Sequence, residues 1–164
     1  EIPMILRPGY ITKEMLSEVI GEVKDDPGFA SADPNVHPKA PGMKYRHYAP
    51  AADFRIFKGD ANKVAQHIID SANAKAEEGK KTGIITANQH LGLYQGKINE
   101  NIKVVSLGDL DKPETIANML FKALRDFDKE GTEFIFGEAF SEDNIGWAIM
   151  NRLTKAAGYN IMDV

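Results

Sequence analysis

Phe54-Arg55-Ile56-Phe57-Lys58-Gly59-Asp60-Ala61-Asn62-Lys63-Val64-Ala65-Gln66-His67-Ile68-Ile69 contains the change of period that decides the fold. Phe54 to Phe57 reads as a short strand. After Asp60, which suits a helix N-cap, Val64, Ala65, Ile68, Ile69 and Ala72 recur at helical spacing on one face, and Gly79 ends the run. The same alternation continues toward the C-terminus. Thr82 to Ala87 and Ile102 to Leu107 read as strands, and Asp111 with Pro113 opens a helix that turns Ile116, Ala117, Leu120, Phe121 and Leu124 inward. Glu133 to Phe136 is a fourth strand. Ser141 is then expected to cap a helix carrying Ile145, Ala148, Ile149 and Leu153, ended by Gly158, with Ile161-Met162 as a short edge strand. Strands alternating with helices predict crossover connections and a mostly parallel sheet covered on both faces. The fold expected for residues 51–164 is therefore a small three-layer α/β domain of Rossmann-like type.

Toward the N-terminus the pattern is different. Ile2 to Leu6 is a short apolar run closed by Arg7-Pro8-Gly9, read as a last strand entering a turn. Thr12 caps a helix with Met15, Leu16, Val19, Ile20 and Val23 on one face, stopped by Asp25-Asp26-Pro27-Gly28. One strand and one helix cannot bury that face alone, so it needs a partner, expected in the α/β domain or a second copy of the chain. Residues 27–50 hold five of the eight prolines and read as a semi-extended linker. The linker ends in Pro41-Gly42-Met43-Lys44-Tyr45-Arg46-His47-Tyr48-Ala49-Pro50, a strap in which every residue from Lys44 to Tyr48 is a cation, an aromatic or a histidine. Its prolines exclude a long helix or a central strand. The chain starts at Glu1 rather than Met, which is read as a processed chain or, preferably, a fragment.

Composition narrows the function classes. At 164 residues, 43% apolar and 27% charged, the chain has the make-up of a soluble globular protein with one core and a small appendage. A net charge of −4 argues against a nucleic-acid sleeve but permits a local basic patch. The absence of cysteine excludes disulfides, cysteine zinc sites and thiol nucleophiles, and favours a cytoplasmic location. No apolar run is long enough to span a membrane, and no signal pattern opens the chain.

Common catalytic signatures are missing. No glycine-rich dinucleotide fingerprint follows the first α/β strand, and no phosphate-cradling P-loop occurs. The loop Gly137-Glu138-Ala139-Phe140-Ser141 leads toward a helix N-terminus that could hold an anion, but Glu138 and Glu142 would compete for that place, so capping is the favoured reading. His37, His47, His67 and His90 show no metal-ligand spacing, and no serine stands in a nucleophile elbow. The strap admits two readings from spacing alone. Tyr45 and Tyr48 could pack on the domain while Lys44, Arg46 and His47 face water, or Lys44 and Arg46 could meet phosphate oxygens while a tyrosine contacts a base or ribose.

Lys39 to Pro50 (KAPGMKYRHYAP), with ILRPGYIT near the start and IGWAIMNRLTKAAG near the end, closely resembles the two-domain L-threonylcarbamoyladenylate synthases. The resemblance spans essentially the whole chain. It implies that residues 1–26 are the tail of a YrdC-like catalytic domain, 27–50 the linker and 51–164 the C-terminal α/β domain. The family makes threonylcarbamoyl-AMP and pyrophosphate from L-threonine, bicarbonate and ATP with a divalent ion, Mg in the full-length enzyme, for tRNA threonylcarbamoyladenosine formation. Arg7 matches an arginine placed near the nucleotide, and Lys44, Tyr45, Arg46, His47 and Tyr48 fall in the linker that covers the active site. Lys44-Tyr45-Arg46 and Ser71-Ala72-Asn73 imitate the family's nucleotide-binding pairs at other positions, and those roles are not transferred. The resemblance implies no catalytic residue and no metal site in this chain, no cofactor of the fragment's own, no membrane, and only an indirect link to the tRNA-modification machinery. The competing expectation is a non-catalytic binding or homo-oligomerisation module.

Overall fold

The computed structural model describes residues 1–7, 9–29, 39 and 49–164. In chain order the elements are β1 (Met4–Ile5), α1 (Lys13–Ile20), β2 (Lys24–Asp25), a 3-10 turn (Pro27–Phe29), β3 (Asp53–Lys58), α2 (Ala61–Glu77) and β4 (Thr82–Thr86). A second 3-10 turn (Asn88–Leu93), β5 (Lys103–Ser106), α3 (Pro113–Lys129), β6 (Phe134–Glu138), α4 (Ile145–Ala156) and β7 (Ile161–Asp163) follow. β3 to β7 form one five-stranded, all-parallel sheet in the order β5-β4-β6-β3-β7. This is the expected α/β architecture.

Two apolar cores lie on opposite faces of the sheet. On one, α2 buries the five residues that its periodicity marks, against Phe57, Ile84, Phe136 and Tyr94. On the other, α3 and α4 cover Phe54, Ile56, Ile85 and Ile135. Neighbouring residues such as Ile84 and Ile85, or Ile135 and Phe136, thus serve different cores. This explains why the strands are apolar without alternation: a parallel sheet covered twice has no wet face. Asp60 accepts from the backbone N–H groups of Asn62 and Lys63 and starts α2 as expected.

Other boundaries move. Phe121 is only half-buried, whereas Ala123 and Phe127 enter the core. Phe127 fits because Gly83 opposes it on β4: a Cβ there would lie 2.3 Å from the ring. Ser141 does not cap α4. Its hydroxyl donates to Asp143 at 2.8 Å, and the helix begins after Asn144, whose φ of 50° makes a turn that its side chain does not cap. β6 runs on through Gly137 and Glu138, residues expected in a loop.

At the N-terminus, Thr12 caps α1 by accepting from Met15 N–H at 3.3 Å. Gly21, at φ 82°, ends the helix earlier than the Asp-Asp-Pro-Gly stop would. The released segment doubles back, and β2 pairs in parallel with β1. Val23 is buried, but α1 buries no residue: Met15 is 45%, Val19 82% and Ile20 52% exposed. The partner expected for this face is not found within the described residues.

Candidate functional site

β4 hands the chain to edge strand β5, while β6 hands it through α4 to the opposite edge strand β7. The loops after these neighbouring strands diverge, and such a switch point at the carboxyl ends of parallel strands is where α/β domains commonly take a ligand. Here the opening is filled from within. Glu138, 4% exposed, accepts from the Thr86 hydroxyl and the Ala87 N–H, both at 2.7 Å on Oε1. His90 Nδ1 lies 2.6 Å from Oε2. With the carboxylate ionised this nitrogen is the donor of the pair.

This arrangement clamps loops together. The Ser106 hydroxyl donates to Asn88 at 2.6 Å, Gln89 donates to Asp109 at 2.5 Å, and the Leu110 N–H returns to Gln89 at 3.1 Å, so the segments after β4, β5 and β6 form one polar network. Gln89 is the main reason that Asp109 titrates below the ordinary carboxylate range. Tyr94, 1% exposed, sits beneath the network. Burial pushes its hydroxyl well above the usual phenol range, with Glu138 adding to the shift; Thr86 opposes it, although no hydrogen bond of ordinary geometry reaches the oxygen. A negative side chain with this many donors disfavours an added anion. The Thr86 hydroxyl is committed to the carboxylate, so it is not available to the imidazole as a nucleophile. Glu142 stands outside the network, paired with Lys58 at 3.3 Å.

Arg7 lies two residues beyond β1 and is exposed, with no hydrogen bond to the described residues. Lys44, Tyr45, Arg46, His47 and Tyr48 lie outside the described residues. The structure does describe the approach to them. Asp26, 2% exposed, donates its N–H to the Ile5 carbonyl at 2.9 Å, while its carboxylate accepts from Gly28 N–H at 3.2 Å and Lys39 N–H at 2.7 Å. The Lys39 N–H is the leading reason that this carboxyl titrates below its usual range. Asp26 reads from sequence only as part of a helix stop; the Asp-Pro-Gly turn signal was present, but its long-range partner had no sequence signal. A pocket is lined by Ile5, Lys13 and Asp25 together with Glu142, Asn144 and Trp147. Among the described residues, no three His, Cys, Asp or Glu side chains gather to hold a metal ion, and no helix is long and apolar enough to cross a membrane.

These features define a parallel α/β domain with an internally filled switch point, preceded by a small two-stranded unit. The family model for the threonylcarbamoyl-AMP synthase C-terminal domain matches residues 11–158, and the chain belongs to that family. It is 40% identical over 162 residues to a Bacillus subtilis threonylcarbamoyl-AMP synthase and 41% identical over 162 residues to one from Pyrococcus abyssi, in each case 99% of this chain and 44% of the relative. The chain thus spans less than half the length of these relatives and corresponds to their C-terminal part. A crystal structure of P. abyssi Sua5 complexed with L-threonine superposes with a TM-score of 0.81 at 40% identity, over 98% of this chain and 44% of that one. The C-terminal Sua5 domain from Pyrococcus horikoshii matches all of its own length to 71% of this chain, with a TM-score of 0.52 at 32% identity.

Proposed function

We propose that this chain supplies the linker and C-terminal α/β domain of a cytoplasmic nucleotidyltransferase that forms threonylcarbamoyl-AMP and pyrophosphate from L-threonine, bicarbonate and ATP, for tRNA threonylcarbamoyladenosine. The observation that carries this reading is about 40% identity across 99% of the chain to synthases of that name. The similarity to a Sua5 protein whose structure holds L-threonine supports threonine as a substrate. The chemistry, with its Mg, is assigned to the part of the enzyme outside this chain.

The role proposed for the strap is that of a lid. Lys44 and Arg46 neutralise phosphate charge, Tyr45, His47 and Tyr48 cover the nucleotide, and Arg7 approaches from the end of β1. In-line attack of a carbamate oxygen on the α-phosphorus is helped mainly by positioning and charge neutralisation. Closing cations and aromatic rings over the labile mixed anhydride excludes water, and opening releases products. The α/β domain anchors the far end of that lid, a role that its filled switch point fits. The exposed face of α1 favours a second reading, an oligomerisation module; burial of that face against the preceding catalytic domain accounts for it within the first.

The test uses the whole enzyme and this chain separately. Only the whole enzyme is expected to convert ATP, threonine and bicarbonate, and Arg46→Ala is expected to slow it about tenfold or more, as loss of a charged hydrogen bond to phosphate should. Product made by this chain alone would overturn the assignment of the chemistry to the rest of the enzyme, and an unchanged Arg46→Ala rate beside a large fall in this chain's urea midpoint would make the strap a structural clasp. Concentration-dependent self-association of the whole enzyme, abolished by Val19→Asp, would favour the second reading.

A further inference from the structure

We propose that the His90–Glu138 contact is a proton-operated latch that sets how firmly the loops at the carboxyl end of the sheet are held together. Glu138 closes β6, and the groups that bond its carboxylate are the Thr86 hydroxyl, the Ala87 N–H and His90 Nδ1, all from the end of β4 and the turn after it. The hydroxyl and the amide carry no charge at any pH between 5 and 8. An imidazole is the side chain that ordinarily changes charge in that range. Here it is 23% exposed, within reach of water, while its partner is buried. With one ring proton, the Nδ1–H donates to the carboxylate from a neutral ring; with two, the same 2.6 Å contact joins a cation to a buried anion. The added Coulomb attraction is strengthened by the low dielectric around a buried carboxylate and little screened by salt. Protonation thus tightens the contact without a change of partner.

The latch holds more than one side chain. His90 lies in the 3-10 turn Asn88–Leu93, whose Asn88 accepts from Ser106 and whose Gln89 bonds Asp109 and the Leu110 N–H. Tightening at His90 therefore fixes the turn, and through it the loop after β5, against the end of β6. The charged neighbours among the described residues are few. From β6, Glu138 faces the imidazole. From the loop after β5 comes Asp109, bonded to Gln89 and drawn to Lys112 rather than to the ring. Tyr94, just after the turn, is kept neutral by burial. α2 meets the segment through the uncharged Asn73, at Lys97 and Asn99, and Lys103 of β5 pairs with Glu130. Glu138 is thus the one ionised group bonded to the imidazole, among the described residues.

The experiment is amide hydrogen exchange on the full-length enzyme at about pH 5.5 and about pH 8, with rates corrected for the pH dependence of unstructured amides. Wild type, His90→Asn and Glu138→Gln are compared. In wild type, peptides covering residues 87–93 and 106–111 are expected to open about fivefold less often at the lower pH, the upper end for an exposed ion pair and a modest demand on a half-buried one. His90→Asn, which cannot take up the proton, is expected to open equally at both pH values, and so is Glu138→Gln, which keeps the shape but not the charge. Peptides from α4, in the core on the other face of the sheet, should not share the response. Equal opening of wild type at the two pH values, the same response in His90→Asn, or a response of equal size in α4 would overturn the latch. If Glu138→Gln does not fold, His90→Asn, which leaves the buried carboxylate with its Thr86 and Ala87 donors, decides alone.

Discussion

The hydroxyl of Thr86 donates to Glu138 at 2.7 Å where β4 and β6 send their chains to opposite edges of the sheet. A position open to ligands in many α/β domains is thereby closed by two of this chain's own side chains, and the loops around it are pinned.

Glu138→Ala should therefore destabilise the domain. It leaves the Thr86 hydroxyl and the Ala87 N–H in a buried setting without their acceptor, and each orphaned donor costs about 1–3 kcal/mol. The urea midpoint of this chain should fall with an unchanged slope, whereas Glu142→Ala, on the exposed Lys58 pair, should move it by no more than about 1 kcal/mol.

Tyr94 gives the alkaline limb of stability a defined origin. Burial raises its folded-state pKa above the ordinary 10.0, so the neutral form is favoured by folding. The stabilisation is fully present below pH 10 and is lost as pH rises beyond it. Tyr94→Phe should flatten the fall of the thermal midpoint above pH 10, and at pH 7 it should leave stability equal or higher because a hydroxyl without a hydrogen bond is removed from the core.

The acid limb has the opposite sign. Asp109, Asp126 and Glu133 are held below their ordinary values by hydrogen bonds from Gln89, Lys122 and Lys80 respectively, so their contribution is present above about pH 4.5 and is lost as pH falls through the lowered values. Removing the exposed pair by Lys122→Ala should shift the acid midpoint upward slightly, and added salt should shrink the difference.

Gly83→Ala should cost about 1–3 kcal/mol by overpacking, because the new methyl group would lie 2.3 Å from the Phe127 ring. Phe127→Leu in the same chain should recover part of that loss in urea denaturation. Additive losses in the double variant would show that the two positions do not share one packing site.

Much of this organisation was legible without coordinates. The period-3.6 stripe Val64, Ala65, Ile68, Ile69 and Ala72 is the buried face of α2, and strand–helix alternation after Pro50 specified a parallel, twice-covered sheet, because helix faces and apolar strands have few other ways to leave water. The family was legible in the strap and its flanking motifs. Tertiary structure alone decided the strand order that makes β4 and β6 neighbours, since periodicity records which face of an element is apolar but not which strand lies beside it. That order brings Glu138 to Thr86 and His90, three polar residues whose spacing carries no motif. The same reason hid Asp26: its local turn was written in Asp-Pro-Gly, but its carboxylate also accepts from the Lys39 N–H 13 residues on, and a backbone N–H is offered by every residue except proline.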